Sequence, residues 1–425
     1  MVLFELGLAG TISLSPRSAG GHVARPEFPA RVERGRLGSV HTQPESDIHR
    51  SARASEVAAV FLKLGVIAFG GPAAHIGMMR QEVVQRRKWL SEQAFLDLLG
   101  ASNLIPGPTS TELAIYLGYS RAGPLGLLLA GGLFILPAML LVLAFAWAYV
   151  QYGTTVQAAA LLYGIKPVIV AVIVQAIYGL LRTAIKTPAL AIVVILAVAL
   201  YFAGANPLVP LFGLGIASAM IENRKRIRAP SAALLPLATH LGQVAPAAAG
   251  ASLGTLFLTF AKIGATLYGS GYVLLAFLHD DFVTRLGWLT DQQLLDAVAV
   301  GQFTPGPVFT TATFIGYVIG GWAGAIVATV GIFLPSFAFV AVVYPLVPRL
   351  RASTWTRAFL DGANAAAVGL MAAVVWQLGV GSLVDGPTVI LALVAALLLI
   401  RFRVNSAWLV LGGGVVGLVA SALRS

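Results

Sequence analysis

The chain has 425 residues, 58% of them hydrophobic and 11% charged, with a mean hydropathy of +0.86. Soluble domains carry about 25% charged residues, and a water-soluble fold needs a polar exterior that this composition does not supply, so soluble classes are excluded. The formal charge of +11 sits in short Lys/Arg clusters between apolar runs, as in cytoplasmic loops rather than a nucleic-acid-binding face. The absence of cysteine removes disulfides, thiol nucleophiles and Cys-ligated metals.

Residues 1–55 hold Arg17, Arg25, Arg31, Arg34, Arg36, Arg50 and Arg53 and no long apolar run. Met1–Leu14 lacks the basic start of a cleavable signal peptide. The stretch therefore reads as a disordered extension, or as sequence upstream of the true translation start. Six apolar segments follow, at about 57–80, 94–119, 122–151, 159–181, 187–204 and 206–221. Their lengths suit crossing a bilayer, and their runs are continuous rather than alternating, which indicates helices and not barrel strands. A basic, proline-bearing linker over 222–254 leads into a second half, 255–425.

That second half repeats the first, 56–221. Phe61-Leu-Lys-Leu-Gly65 returns as Phe260-Ala-Lys-Ile-Gly264, an offset of 199. At that offset Glu82 meets Asp281, Trp89 meets Trp288, Asp97 meets Asp296, and Pro106-Gly107-Pro108 meets Pro305-Gly306-Pro307. Matches spread this widely in register mark an internal duplication.

Loop charges orient the halves. Arg80, Arg86, Arg87, Lys88, Arg121, Arg182, Lys186 and Arg224 mark inside loops of the first half, whereas in the second Arg349, Arg351, Arg357, Arg401 and Arg403 occupy the alternate loops. Opposite orientations follow, an inverted repeat. Inversion needs an odd number of crossings per half. The segment broken by Pro-Gly-Pro, flanked by Lys88 and Arg121, is therefore expected to be re-entrant. The expected fold is an all-α integral membrane protein, with about five crossings plus one re-entrant segment in each half. This count leaves the Arg-rich N-terminal extension outside, against the charge rule.

The breaks point to chemistry. Pro-Gly-Pro stops one helix and starts another. Thr109, Ser110 and Thr111 then lie where free amides and the positive dipole end suit an anion, and Thr310 and Thr311 hold the matching place. Paired broken helices in inverted halves are the pattern around a midplane transport site. Gly70, Gly71 and Pro72 form another weak point, which also reads as close helix packing. Lys63 and Lys262 recur within apolar segments, either as cations for the bound anion or as interfacial lysines that snorkel. Candidate proton-coupling groups are Glu82, Asp281, Glu112 and His75, and Asn103 and Gln302 precede the breaks as polar wall or capping residues.

With these residues in view, Phe69-Gly-Gly-Pro-Ala-Ala-His75, the two Pro-Gly-Pro segments and Gly320-Gly-Trp-Ala-Gly324 resemble the chromate ion transporter family of long, two-domain type, over about 56–422. The family's motif residues match at Lys63, Gly70, Gly71, Pro72, Pro106, Gly107, Pro108, Pro305, Gly306 and Pro307. The second half departs from the pattern with Tyr268-Gly-Ser-Gly271, which argues against equal roles for the halves. The resemblance implies proton-gradient-driven export of chromate across the bacterial plasma membrane and chromate resistance, with sulfate as the competing analogue.

The rival readings are a transporter of another oxyanion, such as sulfate, and a polytopic enzyme acting on lipid. A Walker lysine loop and a His-Glu-x-x-His motif are both missing, which disfavours ATP-driven pumping and metal-dependent hydrolysis. No cofactor, metal or catalytic residue is expected. The expected partners are the oxyanion and the lipid bilayer, with room for a homodimer and none for nucleic acid.

Overall fold

A computed structural model describes residues 47–69, 71–224, 252–268, 271–344, 353–402 and 404–423. Residues 1–46, most of the 222–254 linker and Gly70 lie outside the described residues. Among those described there are fourteen α-helices and no strand. In the first half these are α1 (Asp47–Ile67), α2 (Gly71–Arg80), α3 (Glu92–Ser102), α4 (Thr109–Tyr152), α5 (Val156–Ala184), α6 (Pro188–Phe202) and α7 (Leu208–Glu222). In the second they are α8 (Leu253–Thr266), α9 (Leu274–Leu278), α10 (Asp291–Phe303), α11 (Thr311–Val343), α12 (Thr354–Ser382), α13 (Gly386–Phe402) and α14 (Ser406–Ala422). A π-helical turn extends α2 over Gln81–Arg86 and another extends α9 over His279–Arg285, so the duplication reproduces an irregularity as well as the helices.

Hydroxyl caps fix many helix starts. Thr155, Thr187, Ser252, Thr290 and Ser353 each accept a backbone N–H from the first turn of the helix that follows. In α4 the helix is broken at Ala122 and Gly123, and in α11 at Gly320 and Gly321. Gly123 and Gly321 take φ of 62° and 59°, a left-handed turn that an L-residue resists. There the chain doubles back so tightly that a Cβ on Gly118 would strike the carbonyl of Gly126, and one on Gly316 that of Gly324. Each long helix is thus a short leg and a long leg folded together. The Pro-Gly-Pro segment enters on α3 and returns on the short leg of α4.

A second fold-back lies upstream. His75 on α2 reaches the carbonyl of Ala68 at the end of α1, Glu82 reaches Lys63, and Arg87 and Trp89 reach Glu56. α2 and its π-turn therefore run antiparallel to α1, and Gly71-Pro72 lies at the tip of a second hairpin. Arg121, at the turn of α4, also binds Glu56 (2.8 Å), so both hairpins of the first half start from one face. From Glu56 to Ala68 is about 18 Å of helix, which places the tip near the middle of a hydrocarbon layer about 30 Å thick. The described start of α1 accordingly lies at the face that carries Arg80, Arg87 and Arg121. The extension that precedes α1 lies outside the described residues, and α1 with α2 forms a hairpin and not a single crossing.

The inversion is visible in α5 and α12, equivalent helices of 29 residues each. Lys186, just past the end of α5, pairs with Asp361 in the second turn of α12 (2.6 Å). Tyr163, early in α5, donates to Asp385 beyond the end of α12 (2.6 Å). Equivalent helices that pair end to start run in opposite directions. Asn223, bonded to Thr354, finishes the first half at the basic face, whereas Leu253 packs near Gly320 and starts the second half at the opposite face.

Candidate functional site

The hairpin tips meet at the centre. The amide of Gly107 donates to the carbonyl of Leu267 (2.8 Å), and the amide of Gly306 donates to that of Ala68 (2.8 Å). Positions 107 and 306, like 68 and 267, are repeat equivalents, so each Pro-Gly-Pro turn is pinned to the broken helix of the other half. Gly107 holds φ at 138° and Gly306 at 90°, and a side chain on Gly107 would collide with the Glu112 carboxylate and the Ser336 hydroxyl.

Around this junction lies a cavity of about 650 Å³. Four helix starts border it, with Gly71 and Pro72, Pro108 to Ser110, Gly271, and Val308 with Phe309. The first helical bonds of α4 are made by Thr111 and Glu112 to Pro108, which leaves the amides of Thr109 and Ser110 free of intrahelical partners. His75 and Asn103 add polar groups from the first half, and Gln175, Thr183 and Lys186 from the α5 side face Asp361 and Asn364 of α12. The cavity thus runs from the central tips to the Lys186–Asp361 pair at the basic face. At the tips its polarity is one-sided: where the first half brings His75, Thr109 and Ser110, the second brings Val273, Val308 and Phe309.

His75 is buried between Ala68 and Ser110. Its Nε2 lies 3.0 Å from a carbonyl, which can only accept, so Nε2 carries the hydrogen. Neutral Nδ1 then accepts from the Ser110 hydroxyl (3.3 Å).

The remaining expected residues divide into groups. Lys63 is bound to Glu82 (3.3 Å), which Arg86 and Arg87 also hold, and Lys262 is bound to Asp281 (2.5 Å), which Arg285 also holds. Neither lysine lines the cavity. The expectation that they supply cations to the anion is corrected, since the antiparallel return of each hairpin delivers a carboxylate to each ammonium. Glu82 and Asp281 are spent in the same pairs. Thr310 and Thr311 return their hydroxyls to the carbonyls of Pro307 and Val308 rather than to the cavity. Thr111 is buried with its hydroxyl unpartnered. Glu112 is fully buried behind the Gly107 turn, with Oε1 near Ser336 (3.5 Å) and Oε2 unpartnered. Pro106, Pro305 and Pro307 shape the turns. Among the described residues no group of His, Asp or Glu is arranged to hold a metal.

Sequence reasoning missed Gln175, Thr183, Asp361 and Asn364. They stand on long helices with no local signal, and only the packing of α5 against α12 turns them inward. Lys186 was legible as a loop charge but not as a cavity residue.

The sequence model of the chromate transporter family matches residues 55–219 and again 254–418. The chain belongs to the chromate transporter family. It is similar to the chromate transport protein of Cupriavidus metallidurans, 35% identical over 91% of this chain and 96% of that one. It is also similar to the chromate transport protein of Pseudomonas aeruginosa, 34% identical over 84% of this chain and 90% of that one. To the probable chromate transport protein of Synechococcus elongatus it is 34% identical, over 82% of this chain and 90% of that one. No solved structure matches the chain. Family membership and the long apolar helices make it a two-repeat membrane protein, and the family's two matched repeats are the halves that the structure packs in opposite directions.

Proposed function

We propose that this chain exports chromate across the bacterial plasma membrane by secondary active transport, drawing on the proton gradient and thereby conferring chromate resistance. The observation that carries the reading is the convergence of interrupted helix starts, with their polar groups, on one cavity between inverted halves. Chromate is a tetrahedral dianion. The free amides of Thr109 and Ser110, the Thr109 hydroxyl, and the positive ends of α2 and α4 suit its oxygens. Pro72, Pro106, Gly107 and Pro108 hold those donors in place, while Pro305, Gly306 and Pro307 brace them from the other half. The transporter comprises 56–221 and 255–425 joined by the linker. With the basic face in the cytoplasm, the cavity opens where the cargo loads, and an inside-negative potential favours exit of a dianion.

His75 and Glu112 are the proton-coupling candidates that the geometry favours. His75 accepts the hydroxyl of Ser110, whose amide faces the cavity, and Glu112 packs under the Gly107 turn that precedes it. The test is uptake of radiolabelled chromate and sulfate into inverted membrane vesicles with and without an acid lumen. Chromate accumulation stimulated by the gradient is expected. Sulfate uptake that exceeds chromate uptake would reassign the cargo, and movement of neither ion would refute the transport reading.

A further inference from the structure

A second cavity of about 370 Å³ lies at the opposite face, lined by Tyr149, Tyr163, Lys166, Gln292 and Asp296 among others. Its position relative to the central cavity can be followed along α5. Lys166 faces the outer cavity, Ile173 lines a small apolar void, and Gln175 to Thr183 line the central cavity. α10 runs beside it, with Gln292 and Asp296 in the outer cavity and Val298 and Gln302 at the void. The void shares Gly271 and Val308 with the central cavity, and Ile173, Leu274, Leu275, Leu278 and Val298 fill the space around it. Two chambers that carry polar groups therefore lie in series along one pair of helices, separated by a largely apolar plug.

Lys166 is the cation of the outer chamber. Its Nζ lies 2.6 Å from Gln292 Oε1 and 3.3 Å from Asp296 Oδ1. Asp296 is almost fully buried and accepts the Tyr149 hydroxyl on Oδ2 (2.9 Å). The other charges near α10 are committed elsewhere, Asp291 to His279 and Asp385 to Tyr163. In the register that aligns α5 with α12, the equivalent of Lys166 is Asn364, so the inner face has no copy of this pair. The acid belongs to the second half and the lysine and tyrosine to the first, so the contact ties α10 to α4 and α5 across the path.

We infer that Lys166 is an oxyanion-binding site on the exit side, closed in this conformation by the Asp296 carboxylate, which occupies the place that a departing oxyanion takes. The inference rests on the transport reading for its direction, although the site itself does not. A carboxylate and a tetrahedral oxyanion present the same charged oxygens to an ammonium. A half-buried cation whose carboxylate partner is removed favours another anion in its place. Release of Asp296 also loosens α10 from α4 and α5, leaving the Gln292 contact to Lys166, and opens the plug beside Val298. No covalent step is involved.

The chain has no cysteine, so a single Val298→Cys reports on the plug without background. In the reconstituted full chain, labelling by a membrane-impermeant maleimide from the exit face is slow in Val298→Cys alone. Adding Asp296→Asn, which retains an acceptor for Tyr149, is expected to raise the labelling rate about tenfold. Chromate or sulfate on that face is then expected to slow labelling again, and a further Lys166→Gln is expected to abolish this protection. The inference is overturned if Asp296→Asn labels no faster than its parent, or if oxyanion protection survives Lys166→Gln. Lys166→Gln by itself, expected to label fast without oxyanion protection, covers the case in which Asp296→Asn misfolds. Vesicles that move no chromate while labelling responds as described would refute the cargo and leave the exit site standing.

Discussion

Gly107→Ala should be far more damaging than Gly71→Ala, although both glycines sit at hairpin tips with positive φ. At Gly71 (φ 76°) nothing stands within 4 Å of the place a Cβ would take, so the cost is the left-handed backbone alone, about 1–2 kcal/mol. At Gly107 (φ 138°) the strain is about 1–3 kcal/mol. The new methyl also meets the Glu112 carboxylate and the Ser336 hydroxyl, and overpacking of this kind costs about 1–3 kcal/mol more. Neither neighbour retreats easily. Glu112 is fully buried, and the Gly107 amide is fixed to Leu267 of the other half. The two costs sum to roughly 2–6 kcal/mol, against about 1–2 for Gly71→Ala. Reversible unfolding of both purified variants in a detergent titration measures the difference directly. Equal destabilisation would show that the central junction is not packed as described.

Two further outcomes follow from the site. Thr109→Ala removes a hydroxyl that lines the cavity at the start of α4, and loss of a hydrogen bond to an ion, worth about 1.5–3 kcal/mol, should raise the KM for chromate by about tenfold or more. A KM within about twofold of the parent in vesicle uptake would remove the Thr109 hydroxyl from the anion contacts. Lys63→Met, by contrast, breaks a pair with Glu82 outside the cavity and should leave that KM within about twofold while lowering the yield of folded protein. A large KM increase at normal yield would restore the lysine as an anion ligand.

Much of this was legible in the residues. The offset of 199 exposed the duplication, and the migration of Arg and Lys from one set of loops to the other exposed its inversion, because charge placement reports on topology without regard to packing. Pro106-Gly107-Pro108 and its copy identified the interrupted helices, because a proline's missing N–H acts locally. The reading faltered at Gly70-Gly71-Pro72. There a glycine pair is equally consistent with a crossing helix in close contact and with a hairpin tip, and only the return of Glu82 to Lys63 and of Arg87 to Glu56 distinguishes them. The same fold-back determined the role of the lysines, since their partners are 19 residues away in sequence and one helical strand away in space.

The sequence by itself determined the membrane class, the two inverted copies and the places where helices must break, since these follow from hydropathy, charge and the backbone limits of proline and glycine. Only the tertiary structure decided which groups face the cavity. Gln175, Lys186, Asp361 and Asn364 reach it because α5 packs antiparallel to α12, and Lys166 meets Asp296 because α10 of one half lies against α5 of the other. Such contacts depend on the relative rotation and depth of helices far apart in the chain, which local propensities do not encode.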